Sequence, residues 1–283
     1  MSKLLEVENL WVKFPTRNGV FDAVRGVSFS LGQERLGIVG ESGSGKSMTG
    51  RAILRLIRPP GIVEADKMEL EGVDLLGRSE REMRKVRGQQ ISMIMQDPKF
   101  SLNPVMRVGK QIMEAYRLHY KVSKKEAKKK TLEMLDAVAI RDPERVYRMF
   151  PHEVSGGMGQ RIMIAMMLIP DPKIMIADEP TSALDVSVQM QVLEIMDKLV
   201  KDRGMGLIFI SHDLNLVSSF CDRVLIMYAG RVVETLPADK LHEAQHPYTR
   251  GLLNSLPRLD APCERLEVLK RDPAWAKEES VSG

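Results

Sequence analysis

The sequence predicts an α/β fold built on a parallel β-sheet. Apolar, β-rich runs at 173–177 and 207–210 flank a helical stretch at 186–201, and strand, helix and strand at this spacing form a parallel crossover unit. Another apolar run, 36–39, enters a glycine-rich loop that precedes a helical pattern at 48–57. These observations together indicate a parallel sheet whose strands are joined by helices.

The remaining segments surround this predicted core. Residues 4–39 read as short strands separated by turns that contain glycine. Residues 97–170 are mostly helical, because their apolar side chains recur at spacings of three and four. Several prolines after Leu236 mark an appendage, and we expect the final dozen residues to be disordered. The length of 283 residues suits one large domain with such an appendage.

The charge of the chain is only mildly basic. Its formal net charge of +4 does not by itself indicate a nucleic-acid partner. The densest basic run, 121–130, is interpreted as the solvated face of a helix, because Leu132, Leu135 and Val138 follow at helical spacing.

Cysteine content and hydropathy argue against a protein held together by disulfides or a cysteine metal site, and against one that spans a membrane. The two cysteines, Cys221 and Cys263, are far apart and define neither a disulfide framework nor a metal site, which fits a reducing compartment. The longest apolar run, 162–169, is shorter than the ~20 residues that span a bilayer. We therefore expect any role at a membrane to depend on a partner.

The strongest chemical signal is the glycine-rich loop at 40–47. It matches the pattern G-x-x-x-x-G-K-[ST] between a strand and a helix, where backbone N–H groups can surround phosphate oxygens. Lys46 should reach the β- and γ-phosphates of ATP, and the Ser47 hydroxyl should bind Mg²⁺. The alternative is an incidental Gly/Ser turn. The predicted nucleotide-binding residues of this loop are Gly40, Ser42, Gly43, Ser44, Gly45, Lys46 and Ser47.

Two acidic residues end an apolar strand at 174–179. The strand would deliver their carboxylates to the C-terminal edge of the sheet, where ligands bind in open α/β folds. Asp178 suits the Mg²⁺ shell, and Glu179 suits the base that polarises the attacking water. Alone this pattern is weak, since a strand can simply end at the surface, but beside a phosphate loop it is strong.

A third motif lies shortly before that strand, at 154–161. It reads Val-Ser-Gly-Gly-Met-Gly-Gln-Arg and begins a helix whose N-terminus suits a phosphate. The run resembles the signature sequence of ATP-binding-cassette (ABC) ATPases, usually LSGGQ, and departs from it at Val154 and Met158. In that family the motif closes over nucleotide held by a second subunit. The residues that would face this phosphate are intact: Ser155, Gly156 and Gly157.

Other positions typical of the family follow in order. Gln96 matches the glutamine that senses Mg²⁺ and the attacking water, and Asp185 matches a loop that crosses the dimer interface. His212 matches the histidine that contacts the γ-phosphate. Phe14 is in the place of the aromatic residue that stacks on adenine, with Phe21 as its rival. Each residue has an ordinary structural explanation when read alone, and their joint order carries the resemblance.

The resemblance covers residues 4–235 and implies a P-loop ABC ATPase fold. This fold has a parallel sheet core, an N-terminal antiparallel β subdomain, an inserted helical subdomain and a short C-terminal extension. The predicted bounds are 1–96 with 171–235 for the nucleotide-binding core, 97–170 for the helical subdomain and 236–283 for the extension with its disordered tail.

A narrower resemblance lies in the extension. Residues 245–249 read Gln-His-Pro-Tyr-Thr, with leucines at 252–253 and Leu-Pro at 256–257, and Phe-Pro-His-Glu stands at 150–153. The pattern looks like dipeptide, oligopeptide and nickel importers, although a plain helix start with proline in its first turn would read the same way. Some members hold an iron–sulfur centre here; Cys263 stands alone, so we expect none.

The resemblance implies the ATPase subunit of a bacterial importer of dipeptides or oligopeptides, with ATP and Mg²⁺ as cofactors, at the cytoplasmic face of the inner membrane. ATP binding would close a dimer of cassettes and hydrolysis would reopen it. The implied partners are two transmembrane permease subunits, a second ABC ATPase subunit, with a heterodimer favoured over a homodimer, and a periplasmic or lipid-anchored substrate-binding protein. No nucleic acid is expected.

Three alternatives differ in cargo or class. An importer for nickel or another small solute would have the same type of ATPase subunit. A soluble cassette ATPase acting on ribosomes or DNA usually carries two cassettes or a long coiled coil, whereas this chain has one phosphate loop and no long heptad run. A kinase or GTPase is opposed by the Ser-Gly-Gly run at 155–157 and by the absence of a guanine-reading N-K-x-D motif.

Overall fold

The computed structural model describes residues 3–95, 101–182, 184–255, 272, 274–275 and 280–283. The chain forms two compact units: Met1–Arg78 with Ile208–Gly283, and Ser79–Leu207. We call them the first and the second unit.

The strands, numbered along the chain, are β1 Leu5–Thr16, β2 Gly19–Leu31, β3 Arg35–Val39, β4 Ile62–Glu64, β5 Lys67–Leu70, β6 Val73–Asp74, β7 Ile91–Ile94, β8 Ile174–Asp178, β9 Gly206–Ser211, β10 Arg223–Tyr228 and β11 Arg231–Pro237. The α-helices are α1 Lys46–Ile53, α2 Glu80–Val86, α3 Val108–His119, α4 Lys124–Ala137, α5 Pro143–Arg148, α6 Gly156–Leu168, α7 Val186–Arg203, α8 Leu214–Phe220 and α9 Pro247–Asn254. Short 3-10 turns occupy Pro151–Glu153 and Ala238–Glu243.

An antiparallel sheet begins the first unit. Its strands follow the order β2-β1-β5-β6, and β4 also pairs with β1. The structure has strands at the apolar runs predicted within 4–39, which are β1, β2 and β3, and β1 and β2 are longer than the sequence predicts. Register shifts along β1, between Val7 and Lys13, explain the difference: irregularities break the alternation of side chains without ending the pairing.

A second set of strands in the first unit carries the glycine-rich loop. These strands lie in the order β11-β10-β3-β9, with β10 parallel to β3 and antiparallel to β11. Buried apolar residues such as Leu36, Ile38 and Leu225 make β3 and β10 interior strands. The loop therefore leaves the end of a buried strand, as the sequence predicts.

Helix α1 is shorter than the sequence predicts. The apolar pattern extends to residue 57, but the helix ends at Ile53. Arg55 adopts the left-handed region with φ of 50°, and its guanidinium donates to the carbonyls of Leu75 and Arg78. A left-handed residue cannot continue a right-handed helix, so these distant contacts determine where α1 ends.

The second unit pairs β7 with β8 in parallel and contains α2 to α7. Parallel pairs occur in both units, so the predicted α/β fold with a parallel sheet core is confirmed. The predicted domain bounds differ from these units, because the second unit contains β7, β8 and α7 as well as the helices of 97–170. Those bounds therefore remain a prediction.

The interpretation of the basic run as the solvated face of a helix is confirmed. Helix α4 buries Ala127, Thr131 and Leu135 on one face and leaves most of its lysines exposed, as expected for a solvated basic face. Cys221 is buried at the end of α8, and burial raises the pKa of its thiol. Among the described helices, none combines the length and apolar character that crossing a membrane requires.

Residues 280–283, part of the tail predicted to be disordered, have defined partners. Gly283 exchanges backbone hydrogen bonds with β2, donating to the Ser28 carbonyl at 3.0 Å and accepting from Ser30 N–H at 3.2 Å. Val281 N–H donates to the Val232 carbonyl on β11 at 2.7 Å. The structure thus differs from the prediction at these residues, because β2 and β11 offer them backbone partners that composition cannot show.

Candidate functional site

The glycine-rich loop curls around the side chain of Lys46. Its ammonium is buried and donates to the Gly40 carbonyl at 2.7 Å and the Glu41 carbonyl at 2.8 Å. The Ser44 hydroxyl lies 3.5 Å from the same nitrogen. The loop is therefore wound about a positive charge, which suits a polyanionic ligand.

Two glycines permit this winding. A Cβ on Gly40 would lie 2.1 Å from the Met227 carbonyl oxygen, so no side chain fits there. Gly45 has φ of 101°, a conformation that L side chains rarely adopt, and a Cβ would also meet the Ala23 carbonyl oxygen at 2.6 Å. The loop pattern thus requires glycine at both positions for steric reasons.

Backbone contacts from outside hold the loop in place. Gly230, in the turn between β10 and β11, donates its N–H to the Ser44 carbonyl at 3.0 Å and accepts from Arg25 N–H at 2.8 Å. On the other side, Glu41 N–H donates to the Tyr248 hydroxyl at 3.1 Å. Helix α9 thereby contacts the loop directly.

His212 lies beside the loop in the first unit. Together they line a cavity of about 370 Å³, whose wall consists of Val39, Gly40, Glu41, Ser42, His212, Leu214 and Leu252. The turn that carries His212 is fixed, since Asp213 accepts from Leu216 N–H at 3.1 Å and donates its own N–H to the Ser211 hydroxyl at 3.0 Å. This cavity brings His212 and the loop together, and the predicted contact of His212 with the γ-phosphate stays a prediction.

The two candidates for adenine stacking are cross-strand neighbours. Phe14 on β1 stands directly opposite Phe21 on β2, so the two residues share a face of the antiparallel sheet. Phe21 is 59% exposed, whereas Phe14 is half-buried. An adenine ring that lies near one of these residues would also lie near the other. Both residues therefore stay candidates for stacking on adenine.

The acidic pair ends β8 in the second unit. Asp178 is 3% exposed, as expected for the last residue of a fully buried strand. Glu179 follows with φ of 47°, a left-handed conformation that costs a non-glycine residue on the order of 1 kcal/mol. Backbone strain of this kind occurs preferentially at functional sites.

The signature residues start α6 in the second unit. Ser155 is the N-cap, and its hydroxyl accepts from Met158 N–H at 3.4 Å. A Cβ on Gly156 would meet no atom within 4 Å, whereas one on Gly157 would lie 2.5 Å from Val188 Cγ1 of α7. Gly157 is thus explained by packing in this chain, and Gly156 is not.

Asp185 caps the next helix, α7. Its carboxylate accepts from Val188 N–H at 3.0 Å and from the Ser187 hydroxyl at 2.8 Å. The hydrogen bond from the Val188 amide is the largest cause that lowers the pKa of this carboxyl. Asp185 therefore has a structural role here in addition to the one predicted.

The predicted site residues fall into two groups, one in each unit. The first unit holds the loop, His212 and Phe14, and the second holds the acidic pair, the signature and Asp185. Gln96 lies outside the described residues, as does Cys263. Tyr248 is the contact that sequence reasoning missed: the 245–249 motif identified the segment, but not its position against the loop.

Family comparisons agree with these motifs. The family described as "ABC transporter" matches residues 24–182, which is more than half of the chain. The chain belongs to the ABC transporter family. A second family, described as "Oligopeptide/dipeptide transporter, C-terminal region", matches residues 233–283 of this ABC ATPase.

Curated relatives resemble the ABC ATPase over most of its length. The oligopeptide transport ATP-binding protein OppD of Bacillus subtilis is 51% identical, with 93% of this chain and 75% of the relative covered. The dipeptide transport ATP-binding protein DppD of the same organism is 49% identical, with 92% of this chain and 78% of the relative covered.

A solved structure supports the fold and the activity of the ABC ATPase. The dimeric cassette MJ0796, in a post-hydrolysis state bound to ADP and Pi, superposes with a TM-score of 0.74 at 26% identity, covering 83% of this chain and 98% of that one. The chain is accordingly an ATP-binding, ATP-hydrolysing subunit of a membrane transporter complex.

Proposed function

We propose that this ABC ATPase drives a bacterial importer of oligopeptides or dipeptides. The main support for this proposal is that one compact unit contains both the Lys46 loop and a C-terminal region of the oligopeptide/dipeptide transporter type. The relatives OppD and DppD, named for oligopeptide and dipeptide transport, support the cargo class.

The first unit binds the nucleotide in this proposal. The Lys46 ammonium, which donates to two carbonyl oxygens of its own loop, turns to bind the β- and γ-phosphates. The loop glycines let backbone N–H groups approach the phosphate oxygens, and Phe14 with its neighbour Phe21 contacts the adenine. His212, on the wall of the same cavity, contacts the γ-phosphate.

The three predicted metal ligands, Ser47, Asp178 and Gln96, offer the oxygen atoms that a magnesium ion binds. Mg²⁺ prefers oxygen ligands and keeps several waters and phosphate oxygens, so one or two protein ligands suffice. Ser47 would offer a hydroxyl from the start of α1, and Asp178 would offer a carboxylate from the end of β8. Gln96 would add an amide oxygen. When bound, Mg²⁺ neutralises charge that develops on the phosphates.

Glu179 takes the role of general base. It directly follows the strand that ends at Asp178, and its backbone is in the left-handed region. A carboxylate within hydrogen-bond reach of water orients it and accepts its proton as the water oxygen bonds to the γ-phosphorus. The bond from that phosphorus to the β–γ bridging oxygen breaks at the same time, and ADP leaves.

A second cassette completes each site. The exposed N-terminus of α6, with Ser155, Gly156 and Gly157, closes over nucleotide held by the partner, and Asp185 lies at that interface. We favour a different ABC ATPase chain as this partner over a second copy.

The complex contains two transmembrane permeases and an extracytoplasmic substrate-binding protein, periplasmic or lipid-anchored, and the chain binds the permeases at the cytoplasmic face of the inner membrane. The docking surface that we propose is residues 96–104, of which 96–100 lie outside the described residues, because Gln96 would link nucleotide to the helical region. Conversion of ATP energy into alternating access then follows from closure and reopening of the cassettes.

The test has two steps. The tagged chain is purified from membranes, and we expect two permeases and a second cassette to co-purify. The complex is then reconstituted with its binding protein, and ATPase stimulation is measured with short peptides, nickel chelates and sugars. Stimulation by peptides supports the proposal, stimulation only by nickel or another solute removes the peptide cargo, and recovery only on ribosomes refutes the importer.

A further inference from the structure

The C-terminal region positions Tyr248 against the phosphate loop. Tyr248 is fully buried, and its hydroxyl accepts a hydrogen bond from Glu41 N–H at 3.1 Å. The two residues lie 207 positions apart in the chain. We propose that Tyr248 is a positioning residue for nucleotide binding, which holds the first peptide of the loop when Lys46 turns to the phosphates.

Local structure aims this side chain inward. Helix α9 begins with Pro247 at its first position, and His246 caps it by accepting from Tyr248 N–H at 3.1 Å. The start of the helix is fastened to β11, because Glu234 accepts from the N–H groups of Gln245 at 2.6 Å and His246 at 3.2 Å. The motif at 245–249 thereby sets the orientation of the tyrosine.

Aromatic rings fix the tyrosine laterally. Its ring lies 4.6 Å from the ring of Tyr228 and 6.2 Å from that of Trp275, measured between centroids. Tyr228 ends β10, and the turn that follows carries Gly230, whose N–H donates to the Ser44 carbonyl. The hydroxyl of Tyr248 is therefore held at a defined place relative to the loop.

The hydrogen bonds at Tyr248 and at Lys46 act on one peptide group. The carbonyl of Gly40 accepts from Lys46 Nζ at 2.7 Å, and the N–H of the same peptide, that of Glu41, donates to Tyr248. A peptide group is planar, so holding either end limits its rotation. In this structure the peptide is held at both ends.

Nucleotide binding changes this balance. When the Lys46 ammonium moves to the β- and γ-phosphates, it loosens its bond to the Gly40 carbonyl. Tyr248 then keeps the peptide from turning, which preserves the loop in the shape that binds phosphate. This inference rests on the proposed role of the loop, and it adds the C-terminal region to the nucleotide-binding machinery.

The test compares two substitutions that each remove one hydroxyl. Tyr248→Phe keeps the buried ring and removes the acceptor for Glu41 N–H. Tyr228→Phe is the matched control, because it alters the neighbouring ring and its hydroxyl has no hydrogen-bond partner among the described residues. Mg-ATP affinity is measured by equilibrium titration of the purified full chain, and the thermal midpoint of each variant is measured without nucleotide.

We expect Tyr248→Phe to raise the Kd for Mg-ATP by about 3- to 10-fold, the worth of one ordinary hydrogen bond, and Tyr228→Phe to leave it within about two-fold. Equal loss in both variants would assign the effect to ring packing and overturn the proposal. An unchanged or tighter Kd in Tyr248→Phe, whatever its thermal midpoint, would overturn it as well. Lys46→Ala in the same titration tests the loop itself, so failure of the two ideas is distinguishable.

Discussion

Gly156 offers a way to separate catalysis from folding. It begins α6, is exposed, and a Cβ built on it meets no atom within 4 Å. Gly156→Ala therefore creates no clash within this chain. Because alanine favours helix over glycine by at most about 1 kcal/mol, the thermal midpoint should change by no more than about 3 °C, and upward.

ATP turnover should nevertheless fall by about 100-fold. In the proposed dimer this backbone approaches a phosphate of the partner's nucleotide, and a methyl group would hold it away by about 1 Å, which is enough for such a loss. Gly159→Ala is the control, since Gly159 also lies in α6 and its Cβ also meets no atom within 4 Å. That variant should turn over at the wild-type rate.

The assay is phosphate release by the reconstituted complex, with the affinity of the isolated chain for ATP measured in parallel. Affinity should be unchanged in both variants, because each cassette binds nucleotide on its own loop. Turnover of Gly156→Ala within two-fold of wild type would refute the role given to the signature. A large fall in its thermal midpoint would refute the reasoning that this glycine is free of packing in its own chain.

Three further predictions concern the chemistry. Glu179→Gln should retain ATP binding and lower turnover by at least about 100-fold, giving a long-lived ATP-bound closed dimer; a rate within a few-fold of wild type would mean that another group is the base. His212→Ala should lower turnover by about 100-fold with a smaller loss of binding, and an unchanged rate would leave the residue a structural role. Anaerobically purified chain should show no visible absorbance from an iron–sulfur cluster, which needs about four ligands, and a brown protein would contradict this.

Local motifs made the loop predictable. The residues that wind around Lys46 are within six positions of it, so spacing and residue type contain most of the geometry. The glycine requirement at Gly40 follows the same pattern, although the atom it avoids, the Met227 carbonyl oxygen, is far away in sequence. A phosphate loop is thus recognisable before its surroundings are known.

Features that depend on distant partners were harder to predict. The end of α1 follows from the bonds of Arg55 to carbonyls at 75 and 78, and the length of β1 follows from its irregular pairing with β2. The contact of Tyr248 with Glu41 joins residues 207 positions apart. Apolar periodicity reports which face is buried, and contains no information about which partner covers it.

The central claim is that ATP binds on the Lys46 loop, and Lys46→Ala tests it most directly. The Lys46 ammonium would neutralise phosphate charge. In the structure it donates to the backbone carbonyls of Gly40 and Glu41. Equilibrium titration of the purified full chain with Mg-ATP should give saturable binding for wild type and no measurable binding for Lys46→Ala, while circular dichroism of the two proteins is the same. Near-normal affinity in a folded Lys46→Ala variant would contradict the account.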